Sequence, residues 1–182
     1  MSVLREITHE KHMAVEHLPF TQYLLGGRIT EADYVVYLAE MTAIYQHLEQ
    51  LAIKAGLFTD MAELPRSQRM EEDLEELAPE YQSDLLPTTQ QYLAHLTQLA
   101  NSDHSKDLFA HVYVRHMGDL YGGKLIARGV PGTGRWYEFE NRSELVKRFN
   151  EKITVDLADE ALIAFDHYKN IFQELWTRIH TE

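Results

Sequence analysis

The chain contains no cysteine. Disulfides, iron–sulfur clusters and covalent c-type haem attachment are therefore excluded, and a reducing cytoplasm is the expected location. No apolar run approaches the roughly 20 residues that a transmembrane helix needs. The opening Met1-Ser2-Val3-Leu4-Arg5-Glu6 lacks the basic-then-apolar order of a signal peptide. Basic residues are also scarce, with 17 Lys and Arg against 29 Asp and Glu and a net charge of −12. A general nucleic-acid partner is excluded on that ground. The reading so far is a cytoplasmic protein with no membrane contact, expected to be a monomer.

What remains is ordinary globular material: 182 residues, 45% hydrophobic and 25% charged, enough for one domain over residues 1–182 with a substantial core. Nearly every segment reads as helix. Residues 3–17 carry apolar side chains at Leu4, Ile7, Met13 and Val15. Gly26-Gly27 breaks the chain, and Thr30-Glu31-Ala32-Asp33 offers an N-cap with an acid in the first turn. The long helix that follows runs to Gly56. Further helices are predicted at 67–77, 88–100 and 107–128, from about residue 141, and over 154–180. No strand alternation or repeat is present, so the fold class is all-α in a single domain.

One stretch breaks the rules of helix composition. Gly118-Asp119-Leu120-Tyr121-Gly122-Gly123 lies inside the 107–128 helix, where each glycine costs about 1 kcal/mol relative to alanine. Gly118 and Gly122 share a face, stripped so that something flat can approach the backbone. Close packing of another helix would also account for these two, though not for a third glycine beside an acid. Arg115 and Asp119 stand four apart and can form a salt bridge. On the first helix, His12 and Glu16 have the same spacing, which lets the carboxylate orient the ring. Such a pair is one way to hold haem iron, and is also a common surface ion pair. His9, on a neighbouring face, competes as ligand. Between residues 115 and 152 eight basic residues stand against five acidic ones. They form either solvated helix faces or a patch for an acidic partner.

Three ordered segments resemble the haem oxygenase family, in its soluble, photosynthetic-type bacterial branch (cyanobacterial and cyanophage-like). Leu4-Arg5-Glu6-Ile7-Thr8-His9-Glu10-Lys11-His12-Met13-Ala14-Val15-Glu16 is similar to the proximal helix with its axial histidine. Tyr113 to Lys124 resembles the distal-helix signature, and Gly134-Arg135-Trp136-Tyr137-Glu138-Phe139-Glu140-Asn141 the loop that follows it. Together with Tyr45 and Phe172-Gln173-Glu174-Leu175, the resemblance runs over most of the chain. It implies a helical domain with haem b, both substrate and cofactor, held between a proximal and a kinked distal helix. The products would be biliverdin, opened at the alpha-meso carbon, carbon monoxide and ferrous iron. The reaction uses O2 and external electrons, from reduced ferredoxin, which is acidic and suits the basic stretch, or from another reductase.

The resemblance also implies residue roles. His12 would be the iron ligand and Glu16 would hold its other ring nitrogen. Gly118 and Gly122 would pass over the distal face. Asp119 would organise the water that supplies protons to the reacting oxygen, supported by Arg115 and Tyr45. Arg5 and His9 match positions that meet the propionates, and Tyr113 is a hydrogen-bond donor. The chain departs from the family pattern at Leu162 and Asp166, where relatives often carry basic residues. Lys169 or Lys147, Arg148 and Lys152 are the candidates to compensate. His116 and Tyr121 replace residues more often tyrosine and serine, and read as packing changes. Ending at Glu182, the chain lacks the C-terminal anchor of animal relatives. Two other readings stay open: a non-catalytic haem-binding protein, and a non-haem di-iron oxidase drawing on Glu16, Asp159, Glu160, Asp166 and His167.

Overall fold

A computed structural model describes residues 3–181. Met1, Ser2 and Glu182, which the reading of the chain ends involves, lie outside the described residues. The helices are α1 (Val3–Glu16), α2 (Pro19–Leu25), α3 (Glu31–Lys54), α4 (Ser67–Leu77), α5 (Pro87–Ala100), α6 (Leu108–Val112), α7 (Gly118–Ala127), α8 (Arg142–Lys152) and α9 (Ala158–Thr181). No strand occurs among the described residues, and none of the helices is long and apolar enough to cross a membrane.

Two long helices organise the rest. α3 packs on α4, α5 and α6, while α9 packs on α1, α2, α5 and α6. Their meeting point is aromatic. Tyr37 of α3 lies 5.3 Å from Phe20 of α2, 5.9 Å from Phe172 of α9 and 5.7 Å from Trp136, measured between ring centroids. Offset and edge-on rings at such distances add to the burial of their large apolar surfaces. Trp136, Tyr45, Phe20 and Phe172 are all fully buried.

Some helix starts are local and others are not. Thr30 caps α3 as expected, accepting from Asp33 N at 3.2 Å. Pro19 and Pro87 open α2 and α5, where the missing N–H costs nothing. Yet α4 and α5 have no side-chain cap of their own. Carboxylates from the long helices supply it across space. Glu49 of α3 accepts from Arg66 N at 2.6 Å and Ser67 N at 3.0 Å. Glu40 accepts from Leu86 N at 3.1 Å, and Glu174 of α9 accepts from Thr88 N at 2.9 Å. Each acid meets the positive end of a helix dipole and satisfies an otherwise orphaned donor.

The helix expected over 107–128 is not continuous. A π-helical turn, Tyr113–Met117, separates α6 from α7. A π turn adds a residue to the turn and so rotates everything beyond it. The final helix begins at Ala158 after a 3-10 turn, Val155–Leu157, four residues later than the sequence pattern suggests.

Glu49 ties the two halves of this arrangement together, because it also accepts from His116 Nε2 at 2.8 Å within the π turn. Burial opposes its ionised form, but the His116 hydrogen bond and charge, with the Arg66 and Ser67 donors, hold its pKa below the ordinary value. Glu49→Ala should lower stability by about 2–4 kcal/mol in denaturant titration, since three donors lose a buried acceptor. Glu49→Gln, able to accept from only some of them, should fall between that variant and the parent.

Candidate functional site

The glycine helix shows one face to solvent and buries the other. Gly118, Tyr121, Gly122 and Leu125 follow helical spacing on the outer face, with Tyr121 65% and Leu125 56% exposed. A Cβ built on Gly118 or Gly122 would meet nothing within 4 Å. Close packing of a neighbouring helix is therefore not what these two glycines serve. Gly123 differs, since its Cβ would stand 3.1 Å from Tyr137 Cδ1 and 3.3 Å from Tyr137 Cβ. That third glycine admits the 135–137 turn, while the first pair leaves a bare apolar strip of backbone. Tyr121 belongs to that strip and is not a packing residue, contrary to the expectation from sequence.

Behind the strip lies Asp119. Its Oδ2 accepts from Tyr45 Oη at 2.7 Å and from Trp136 Nε1 at 3.1 Å. Burial pushes its pKa up to about 6, against the charges of His116 and Arg115 and these two hydrogen bonds. A carboxyl group at that value can both hold and release a proton near neutrality. The family resemblance implies a supporting role for Tyr45. Trp136 carries no such signal in the sequence, since the partner of its indole N–H is set by where the fold buries it.

Arg115 does not pair with Asp119. The π turn removes the four-residue alignment, and the guanidinium lies 4.1 Å from the Tyr168 ring centroid and 5.2 Å from that of Tyr92. Its Nη1 reaches Met41 Sδ at 3.5 Å, whereas Nε and Nη2 are buried without a hydrogen-bond partner. Cation–π contact offsets part of the cost of burying this charge. His116 is likewise more than a packing change, being hydrogen-bonded to Glu49 and 5.0 Å from the Tyr45 ring.

On α1, Leu4, Thr8, His12 and Glu16 follow one another at four-residue steps. Leu4 and Thr8 are buried, whereas the His12 and Glu16 side chains are 53% and 45% exposed. His12 thus continues the packed stripe of its helix yet keeps an accessible ring, which meets Phe165 of α9 edge-on at 6.0 Å. Its Nε2 stands 3.8 Å from Glu16 Oε1, within ion-pair range but beyond a hydrogen bond. α9 packs against both α1 and the π turn, so it is the shared wall of the histidine and glycine elements.

The remaining expectations divide. Arg5 and His9 are exposed on α1, and Tyr113 is buried in the π turn near Phe149. Asp166, where relatives carry a base, is ion-paired with Lys11, beside His12. Much of the basic stretch is committed elsewhere. Arg135 bridges Asp73 and Glu76, and Arg142 donates to the Leu120 and Tyr137 carbonyls. Arg148 binds Glu144 and the Asp60 carbonyl, and Lys152 pairs with Asp60 at 2.8 Å. Lys124, Arg128 and Lys147 are exposed and in no ion pair among the described residues. Of the acids gathered for a di-iron site, only Glu160 joins a cluster with metal-ligand chemistry among the described residues. A surface recess of about 950 Å³ between α3 and α4 is lined by neither the histidine nor the glycine element and includes Arg135.

These features combine, in an all-helical protein, a half-exposed histidine and a bare glycine backbone with a buried, titratable acid behind it. The donor set and the glycine strip, which a Cβ would enter unopposed, fit haem. The family model described as "Heme oxygenase" matches residues 1–174, and the chain belongs to that family. The heme oxygenase of Rhodella violacea is 29% identical, with 94% of this chain and 85% of the relative covered. That of Porphyra purpurea is also 29% identical, covering 94% and 84%. Among solved structures, heme oxygenase-1 of Synechocystis sp. PCC6803 in complex with heme has a TM-score of 0.82 at 24% identity, covering 98% of this chain and 94% of that one. Heme oxygenase-2 of the same cyanobacterium, in complex with heme and NO, has a TM-score of 0.85 at 22% identity, covering 98% and 85%.

Glycine substitutions separate ligand space from packing. In protein without haem, Gly118→Ala and Gly122→Ala should each raise stability by about 0.5–1 kcal/mol, because alanine is the better helix former. Gly123→Ala should lower it, since Tyr137 must move; thermal melts report all three. Asp119 gives a pH signature. Its folded pKa of about 6 exceeds the ordinary 3.8, so the folded state binds this proton more tightly and its contribution to stability falls as pH rises from about 4 to 6. Asp119→Asn removes that dependence. The variant's stability relative to the parent should rise across this window, by up to about 3 kcal/mol, and level off above it.

Proposed function

We propose that this chain degrades haem to biliverdin, with haem bound between α1 and α7 as substrate and cofactor. The observation that carries this reading is the solvent-facing backbone at Gly118 and Gly122, where an added Cβ would find nothing within 4 Å, directly in front of a buried acid. Carbon monoxide and ferrous iron are the other products. Bound haem supplies the iron at which O2 is reduced by external electrons, and the protein supplies position and protons.

His12 is the iron ligand in this scheme, with a ring accessible on the packed side of α1. Glu16 is close enough to orient it after a small rotation, since the two atoms stand 3.8 Å apart. A histidine ligand would donate less electron density to the iron than a thiolate. Gly118 and Gly122 would let a flat ligand approach the α7 backbone, and their missing side chains would leave room there for oxygen. Asp119 holds and releases the proton that the oxygen chemistry consumes, its pKa near 6 set by burial and by the Tyr45 and Trp136 hydrogen bonds. Arg115 acts behind it as a fixed positive charge with two uncommitted donors. Arg5 and His9, exposed on α1, and Tyr113 are the candidates for the propionates, and Lys11 answers the negative charge that Asp166 brings to that side. Ring opening at the alpha-meso carbon, which the family resemblance implies, is the expected outcome.

Lys124, Arg128 and Lys147 form the docking charge for an acidic electron donor, reduced ferredoxin, at the outer end of α7 and on α8. This follows from their freedom from ion pairs, since every other base in that stretch except buried Arg115 has a partner within the protein.

One assay tests the scheme: haem-loaded protein, reduced ferredoxin supplied enzymatically, and the visible spectrum followed in time. The haem band should decay as biliverdin absorption grows. Asp119→Asn should bind haem normally and yield biliverdin at least tenfold more slowly, and His12→Ala should change the spectrum of bound haem. Haem that persists under these conditions would identify a haem carrier instead. Lys124→Glu with Arg128→Glu should raise the KM for ferredoxin at low salt with little change in kcat. Equal turnover by that double variant, or a preference for a flavoprotein reductase, would remove the docking assignment alone.

A further inference from the structure

On the side of α9 that faces α5 and α6, three side chains converge that the haem chemistry does not use. His95 of α5 and His111 of α6 both direct Nε2 at one oxygen of Glu160, His111 at 2.8 Å and His95 closer still. The three ligand atoms lie within 4.8 Å of one another. We propose that His95, His111 and Glu160 bind one divalent transition-metal ion of the zinc or cobalt type.

The donor set is two imidazoles and a carboxylate, which suits borderline first-row ions and not calcium or magnesium. Tetrahedral coordination at the usual bond lengths places ligand atoms about 3.4 Å apart. The His111–Glu160 distance must open by about half an ångström to reach that and the His95–Glu160 distance by more, while the widest spacing must contract. Rotation about the side-chain bonds of His95 and Glu160 suffices, for these are partly exposed at 26% and 15%, while His111 is wholly buried. The buried ligand is the one already oriented. Tyr92 Oη lies 2.8 Å from His111 Nδ1, so a metal on Nε2 leaves the Nδ1 proton with an acceptor, as metal-bound histidines require.

Charge also favours the ion. Against its burial, the two imidazoles hold the Glu160 carboxyl down at about 2, so it is ionised at any working pH. Burial lowers the pKa of His111 and pushes that of His167 down to about 4. Neutral imidazole is the binding form; the proton that His111 Nε2 donates to Glu160 would move to Nδ1, facing Tyr92 Oη, as the metal takes Nε2. His167 stacks on Tyr92 at 4.8 Å and lies 5.1 Å from His95, walling the cluster on the α9 side. Arg115 is a fixed cation on the far side of that ring, 5.2 Å from the Tyr92 centroid and 4.1 Å from that of Tyr168. The exposed edge of His95 leaves the remaining coordination position to solvent.

The test uses the full chain without haem and Co2+ as the probe. Titration should give one equivalent of ligand-field absorption typical of four-coordinate cobalt, displaced by Zn2+. His12→Ala should leave the titration unchanged, which separates this site from the haem-facing histidine. His95→Gln, chosen because its position is partly exposed, and Glu160→Gln should each weaken binding at least tenfold while circular dichroism shows the helical fold retained. Tyr92→Phe should weaken it less. Absence of the cobalt spectrum in the parent protein would overturn the site. So would affinity unchanged in both His95→Gln and Glu160→Gln, or binding that disappears with His12.

Discussion

Asp119 accepts two hydrogen bonds inside a core that otherwise resists its charge, and the surrounding architecture is built around that compromise. Tyr45 reaches it from α3 and Trp136 from the turn after α7, so one carboxylate oxygen joins three separate elements. Hydrogen bonds to a charged acceptor are worth about 1.5–3 kcal/mol each, enough to offset burial in part but not to abolish its effect on the proton. The acid is therefore fixed in place while remaining able to titrate near neutrality. A site that has to move protons requires both properties together.

The glycines follow from the same constraint. A helix that anchors Asp119 inward presents its neighbours outward, and any side chain at 118 or 122 would stand in the space over the backbone. The structure accepts the lower helix propensity of glycine there and recovers order from tertiary contacts: Gly123 against Tyr137, and Arg142 donating to the carbonyls of Leu120 and Tyr137. The π turn is the other part of this arrangement. By adding a residue before Gly118 it turns Arg115 away from Asp119 and toward the tyrosines of α5 and α9, leaving the acid to Tyr45 and Trp136.

Buried and half-buried acids recur at element junctions elsewhere in the fold. Glu49, Glu40, Glu174 and Asp73 each accept backbone donors at the start of a helix or turn distant in sequence. Charged residues on an acidic chain are easily assigned to solvent, yet here they fasten helices that lack caps of their own. The histidines behave similarly, since His116 and His111 are fully buried and each is paired with a glutamate.

Local rules in the chain itself determined much of this protein. Apolar periodicity, the Thr30 cap and the Gly and Pro breaks place the helices to within a few residues, because those signals act over one or two turns. The costly glycines at 118 and 122, with Asp119 between them and His12 and Glu16 four apart, mark the elements proposed to face the ligand for the same reason. Only the tertiary structure decided which partners the charged groups take. The Arg115–Asp119 spacing allowed a salt bridge that a single widened turn dissolves. Trp136, 17 residues beyond Asp119, and Glu49, 67 residues before His116, become partners only when α3, α7 and the following turn pack together. Helical spacing is fixed by bonds along the chain, whereas the partner of a buried charge is fixed by what the fold brings within 3 Å of it.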